Sequence, residues 1–293
     1  MYNKALTLSI VIPVYNEERH IKACLDAIAV QTVMPNEVIV VDNNCTDKTV
    51  EIARSYPFVK LLKEPNQGRG WARTAGFNAS TCDILGRIDA DSMIAPNWVE
   101  RVLDDFADPD VAGLTGLGLT NIGPLLLSVY STFWSRAYFW AVHAYFNCNT
   151  VWGANSAFRR DWWRKVGSES CLDDRQVHED QDISILVAGA GGKIIQDNKL
   201  LIKTNGRSYA FLPKLTYYAV LRHRTRIRHN RLGTLKSPHA VLLGFWNTLP
   251  GRLYTIVPGI LFLVGSFISW PFYAIILARH GKLGKPWLER TPR

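Results

Sequence analysis

The sequence predicts an α/β fold built on a mostly parallel sheet with helices on both faces. Three observations point there. Strands and helices alternate through the first half of the chain, the strands are continuous apolar runs, and polar residues cluster just past their carboxyl ends. Leu8–Val14 is apolar almost throughout, which suits a strand buried on both faces. Residues 18–29 repeat apolar positions at helical spacing (Ile21, Leu25, Ile28). Residues 37–41 form a second buried strand, and 46–55 a helix that Thr46 or Asp47 is placed to cap. A third strand follows at 59–62, a helix at 70–79 and a fourth strand at 83–88. No internal repeat or low-complexity segment interrupts this order.

Length and composition bound the rest. The chain has 293 residues, enough for one large domain or two modest ones, and 47% are hydrophobic. Its five cysteines (Cys24, Cys45, Cys82, Cys148, Cys171) are odd in number and scattered, with no C-x-x-C pair, which argues against a disulfide framework or a structural zinc site. The run from Ala5 to Val14 leads directly into charged residues and lacks a small-residue cleavage site, so it reads as a strand and not as a signal peptide. The formal net charge of +9 is uneven: beyond residue 197 the only acid is Glu289, among 16 lysines and arginines. A basic, apolar tail implies an anionic surface as partner. From Leu253 to Ala278 there is no charge at all, a length that suffices to span a bilayer. Basic residues abut this run on both sides, which favours lipid headgroups over nucleic acid. A single span, a hairpin with residues 240–249, and a re-entrant segment all fit. The chain is thus read as a catalytic domain over 1–236 and a membrane-anchoring segment over 237–293, with the catalytic domain in the cytoplasm.

On a parallel sheet, ligands bind outside the carboxyl ends of the strands. The residues there are Pro13 to Glu18, Asp42 to Asp47, and Asp89-Ala90-Asp91. Two carboxylates one residue apart at a strand end suit Mg²⁺ or Mn²⁺, hard cations held by a few carboxylates together with phosphate oxygens. Such an ion would offset charge on a leaving nucleoside diphosphate.

The segments SIVIPVYNEE, VIVVDNNCTD and GRIDADSM, in that order and spacing, resemble glycosyltransferase family 2, whose members have the GT-A fold. The resemblance extends over roughly residues 7–235. It implies a nucleotide-sugar donor (a UDP- or GDP-sugar), with Tyr15 near the base and Pro13, Glu17 and Asp42 beside it. It implies that Asp89 and Asp91 hold the metal, Asp89 also meeting the sugar-phosphate. Many members have a second acid where Asn43 stands here. The segment Gln67 to Arg73 matches the family's stretch between the third and fourth strands, so Arg69 or Arg73 is expected at the diphosphate.

In the second half, Trp152 to Arg159 resembles the family's segment lining the donor sugar and acceptor, which places Asn155 on the acceptor side. His178-Glu179-Asp180-Gln181-Asp182 then opens a helix, and the resemblance makes Asp180 the general base, with Glu179 orienting the acceptor or a neighbouring arginine. A sugar hydroxyl is a poor nucleophile, so attack at the anomeric carbon needs such a group on the face opposite the leaving group, and inversion follows. The Q-x-x-R-W of processive family members is missing, which argues against a cellulose- or hyaluronan-type polymerase, while Arg222, His223 or Arg224 are candidates to reach the diphosphate or metal, with Arg222 on the acceptor side, and lipid headgroups are the alternative partner of this stretch. Leu125 to Phe146 is rich in aromatics that suit a core or a lipid-facing helix. The expected activity is sugar transfer to a hydroxyl of a lipid-linked or cell-envelope glycan. The rivals are transfer to a polyprenyl phosphate and a non-catalytic nucleotide-sugar-binding membrane protein.

Overall fold

The computed structural model describes residues 5–120, 136, 138–204 and 212–235. Its strands are β1 (Leu8–Val14), β2 (Glu37–Asp42), β3 (Val59–Lys63), β4 (Ile84–Ile88), β5 (Ser92–Ile94), β6 (Val111–Thr120), β7 (Asn155–Arg159) and β8 (Lys193–Thr204). Its helices are α1 (Ile21–Ala29), α2 (Thr49–Arg54), α3 (Arg69–Ala79), α4 (Trp98–Asp105), α5 (Arg160–Val166), α6 (Glu179–Gly189) and α7 (Leu212–Leu232), and residues 138–146 are also helical. Helix α2 starts later than the sequence predicts, because Asp47 uses its carboxylate to accept the Thr49 N–H from just outside the helix.

All eight strands form one sheet in the order β3-β2-β1-β4-β7-β6-β8-β5. The pairs β3–β2, β2–β1, β1–β4 and β6–β8 are parallel; β4–β7, β7–β6 and β8–β5 are antiparallel. The first four strands thus follow the predicted parallel pattern, and antiparallel pairing enters with β7. Side-chain alternation divides the core between the two faces. Leu8, Ile10, Ile12 and Val14 of β1 pack with Ile21 and Leu25 of α1 and Trp98 of α4. Val11, with Ile39, Val41 and Leu85, packs with Phe77 of α3, Trp163 of α5 and Ile183 of α6.

The chain leaves β1 toward β2 and β3 on one side and returns to β4 on the other. That reversal is the topological switch point at which open α/β sheets take ligands. β1 pairs with β4 only as far as Val11 opposite Arg87, while its pairing with β2 runs on to Val14. Beyond that point β1 and β4 part, and the polar residues predicted for the site follow.

The aromatic residues 125–135 and the C-terminal segment 237–293, including the uncharged run from Leu253 to Ala278, lie outside the described residues. Among the described residues no helix is long and apolar enough to cross a membrane. The basic stretch near residues 222–231 is part of α7 and packs onto the domain. Arg228 and His229 both donate to the fully buried Asp182 of α6, at 3.1 and 3.0 Å. The helical residues 138–146 meet α7 through cation–π contacts, Arg222 over Tyr138 and Arg226 over Tyr145.

Candidate active site

The loops after β1 and β2 are locked to each other. Asn16 and Asn44 adopt left-handed backbone angles, φ 55° and 69°, a region that asparagine tolerates. Asn16 Oδ1 accepts the Thr46 N–H at 2.8 Å, and Asp42 Oδ1 accepts the Cys45 N–H at 2.8 Å. Glu17 faces His20 at 2.9 Å. Tyr15, at the mouth of β1, is 39% exposed, which leaves a ring face open to a planar partner.

Asn43 is buried and fully used. Its Nδ2 donates to the carbonyls of Glu64 and Asn66, at 3.0 and 2.7 Å, and its Oδ1 accepts the Gly68 N–H at 2.8 Å. A carboxylate cannot donate to two carbonyls, so this loop accounts for an amide where relatives often carry an acid. Gly68 itself has φ +148°, conformational space that side chains rarely enter, and it leads into α3. At the start of α3, Arg69 donates to Asp174 at 2.8 Å and keeps about half of its side chain in solvent.

Asp89 and Asp91 follow β4 at the rim. The Asp89 side chain is 45% exposed and Asp91 is half-buried. Partial loss of water raises the Asp89 pKa, Arg87 opposes this, and the nearby carboxylates of Asp91 and Glu179 add to it. Crowded, solvent-reachable carboxylates gain from a cation. Among the described residues no cluster of three or more His, Cys, Asp or Glu forms a ready-made metal site. Two carboxylates still fit a hard divalent ion that keeps water and phosphate oxygens as its other ligands.

The second group of acids is enclosed. Glu179 and Asp180 open α6, whose N-terminal dipole favours negative charge. Arg87 of β4 points to the same face of the sheet as Leu85 and meets them. Its Nη1 lies 2.6 Å from Glu179 Oε1 and 2.8 Å from Asp180 Oδ1, and its Nη2 lies 3.5 Å from Asp89 Oδ1. A single guanidinium therefore touches both the rim and the helix acids. Arg73 of α3, 1% exposed, donates to Glu179 Oε2 at 2.9 Å and to Ser170 Oγ at 2.5 Å. Asp180 Oδ2 accepts the Gly153 N–H at 2.8 Å. A Cβ on Gly153 would lie 2.4 Å from Asp180 Oδ1 and 2.5 Å from Arg87 Nη1, so this contact needs glycine.

Burial alone would raise the Glu179 pKa, but Arg87 and Arg73 hold it well below the usual range. Asp180 moves the other way: burial, then the adjacent Glu179 charge, raise its pKa against the pull of Arg87. Such splitting of neighbouring carboxyls marks functional sites and leaves one of them suited to accept a proton near neutral pH. Beside the pair, burial together with Arg222 and Arg69 pushes His178 down to about 3, so it is neutral as it stacks near Tyr218 at 5.3 Å.

Two expected contacts are placed differently. Arg73, expected at the donor diphosphate, is turned inward and braces Glu179. Asn155, expected on the acceptor side, is fully buried; it accepts the Trp98 indole N–H at 2.8 Å and donates to the carbonyls of Leu117 and Leu200. Glu179, expected to orient the acceptor or a neighbouring arginine, is buried and pairs with two arginines, Arg73 and Arg87. Sequence reading passed over Arg87, although a charge inside the apolar β4 sequence ILGRI, on a strand covered on both faces, itself demands buried partners. Cavities of about 450 and 430 Å³ lie elsewhere, the first lined by Thr115, Trp140 and His143 and the second by Thr74, Trp163 and Ser170. Neither contains Asp89, Asp91 or Asp180, and the chemistry is assigned to the rim, where the ionisable groups converge.

Comparison with known proteins identifies the family and the fold. The model of glycosyl transferase family 2 matches residues 9–167, more than half of the chain. The uncharacterized glycosyltransferase YibD of Escherichia coli is 31% identical over 115 residues, 38% of this chain and 33% of that protein. The glycosyltransferase AglE of Haloferax volcanii is 35% identical over 123 residues, 40% of this chain and 38% of that protein. The matched stretches thus span little more than a third of these curated relatives. Among solved structures, the mannosyltransferase PcManGT of Pyrobaculum calidifontis, in complex with GDP-Man and Mn²⁺, superposes with a TM-score of 0.58 at 19% identity, over 92% of this chain and 88% of that one. Glucosyl-3-phosphoglycerate synthase of Mycobacterium tuberculosis, in complex with Mn²⁺, UDP and phosphoglyceric acid, superposes with a TM-score of 0.54 at 18% identity, over 80% of both chains. At these identities the likeness is one of fold: an α/β, GT-A-like architecture.

Proposed function

Because the chain belongs to glycosyl transferase family 2, we propose that it is an inverting, metal-dependent glycosyltransferase that moves a sugar from a UDP- or GDP-sugar to a hydroxyl of a lipid-linked or cell-envelope glycan. The observation that carries this reading is Arg87, whose guanidinium lies 3.5 Å from Asp89 and 2.8 Å from Asp180. Arg87 thus links a carboxylate suited to a cation with a carboxylate suited to a proton.

In this reading Tyr15 stacks near the base, with Pro13, Glu17 and Asp42 shaping its seat, and Arg69 reaches the diphosphate. Asp89 and Asp91 would hold Mn²⁺ or Mg²⁺, which when bound neutralises charge on the departing nucleoside diphosphate. Asp180 takes the proton of the acceptor hydroxyl as its oxygen attacks the anomeric carbon from the face opposite the leaving group. Such assistance contributes about a hundredfold or more. Arg73 and Glu179 act one layer behind, holding Arg87 and setting the electrostatics in which Asp180 titrates. The uncharged run from Leu253 to Ala278 attaches the enzyme to a membrane, with the catalytic domain on the cytoplasmic side.

A second reading, transfer to a polyprenyl phosphate, is favoured by Arg222 and Arg69 flanking His178 beside Asp180. That acceptor is already ionised and does not need a base. The test is turnover against a panel of UDP- and GDP-sugars with Mn²⁺, with the anomeric configuration of the product read by NMR. Inversion with one preferred donor supports the proposal. Retention of configuration, or no turnover of any nucleotide sugar, overturns it.

A further inference from the structure

The two sides of α7 have different surroundings. Its inner side is satisfied by the domain: Leu221, Thr225 and His229 are buried, Thr225 Oγ1 accepts the His178 N–H at 2.8 Å, and His229 and Arg228 donate to Asp182. The outer side carries the exposed apolar residues Val220 and Ile227, of which Val220 is 50% exposed. Along the same side stand exposed His223, 3.3 Å from the Tyr145 hydroxyl, Arg224, which also donates to the Arg175 carbonyl at 3.2 Å, and Arg231. The helix has no acidic residue. Apolar side chains interleaved with cations along one helix side match an interfacial helix, which sinks its apolar residues to the acyl boundary and sets its cations among headgroups.

We propose that the outer face of α7 lies on an anionic lipid surface and holds the catalytic domain with its base side toward the bilayer. This rests on the lipid-side reading given above and adds a surface and an orientation to it. Charge complementarity commits the face to anionic lipid: beyond residue 197 the chain has 16 lysines and arginines against Glu289 alone, and the uncharged run from Leu253 begins about twenty residues past the end of α7. Geometry supplies the use. The inner side of α7 touches His178 and Asp182, which bracket Asp180 in sequence, and Tyr218 on that side packs against His178 and lies within charge range of Asp180. A lipid-linked acceptor could then present its hydroxyl to Asp180 while its lipid stays in the bilayer.

The experiment uses the full chain in nanodiscs of phosphatidylcholine, with and without phosphatidylglycerol. Val220→Cys and Ile227→Cys are each labelled with an environment-sensitive dye, and quenching by brominated acyl chains is measured. Lys22→Cys, on exposed α1 across the sheet, is the reference, and labelling of the unsubstituted chain is subtracted. The expected result is quenching at 220 and 227 at least threefold above that at 22 in anionic discs, reduced by the double change Arg224→Glu with Arg231→Glu. A chain retained in the discs with equal quenching at all three positions overturns the inference and leaves membrane attachment standing. Quenching that ignores both lipid charge and the arginine changes overturns the anionic assignment. Recovery of the chain outside the discs removes both readings.

Discussion

Asp89 and Asp91 stand at the end of β4 where water reaches them, whereas Glu179 and Asp180, on the first turn of α6, are enclosed with two arginines. The groups carry the same chemistry, yet their surroundings fit them for different work. At the rim, Asp89 meets only the distal edge of one guanidinium and feels the Asp91 charge beside it, which favours an added cation. On the helix, two arginines fix Glu179 as an anion, and its fixed charge raises the pKa of its neighbour. Arg87 is the only residue bonded to both groups among the described ion pairs.

That contrast is open to attack, beginning where the largest effect is expected. Arg87→Met leaves Glu179 and Asp180 buried without their shared cation, and removing one partner of a buried ion pair costs about 3–5 kcal/mol. Urea unfolding should register a loss of that size, with Arg87→Lys recovering part of it; an unchanged midpoint would mean that the network is electrostatically idle. Asp91→Ala removes half of the rim pair and leaves the helix pair intact. Calorimetry should show Mn²⁺-dependent binding of the nucleoside diphosphate weakened by about tenfold or more, equivalent to at least ~1.4 kcal/mol, with stability nearly unchanged. Asn43→Asp tests the scaffold beneath the rim. It trades two donated hydrogen bonds for a carboxylate facing carbonyls, and thermal unfolding should show a loss of about 1–3 kcal/mol.

How much of this was legible in the sequence follows the same divide. The buried parallel strands β1, β2 and β4 were, because a strand covered on both faces must be apolar along most of its length, and they and the edge strand β3 lie within a residue or so of their expected bounds. The positions of Tyr15, Asp42, Asp89 and Asp91 were also legible, because a residue just past a strand inherits its place from the sheet. Where a long side chain turns was not. Arg73 lies on α3 near the expected phosphate, but its guanidinium goes inward because Glu179, 106 positions away, needs a partner there. Asn155 goes inward because it partners the Trp98 indole and the carbonyls of Leu117 in β6 and Leu200 in β8. The basic stretch of α7 was expected at a diphosphate or at lipid headgroups, yet Arg228 within it is claimed by the buried Asp182. Each of these depends on a contact between distant segments, which local spacing does not encode.

The account depends most on Asp180 accepting the acceptor's proton beside Arg87, which links it to Asp89. The most direct measurement compares the transfer rate and donor affinity of Asp180→Asn with those of the parent across a pH series. Because the Asp180 pKa is raised, the parent's rate should climb with pH through a value well above the ordinary aspartate value of about 4, as the carboxyl loses its proton. The variant should bind donor with nearly parental affinity and transfer about a hundredfold more slowly or worse, without that pH limb. Transfer by the variant at the parental rate with the same pH limb would contradict the account.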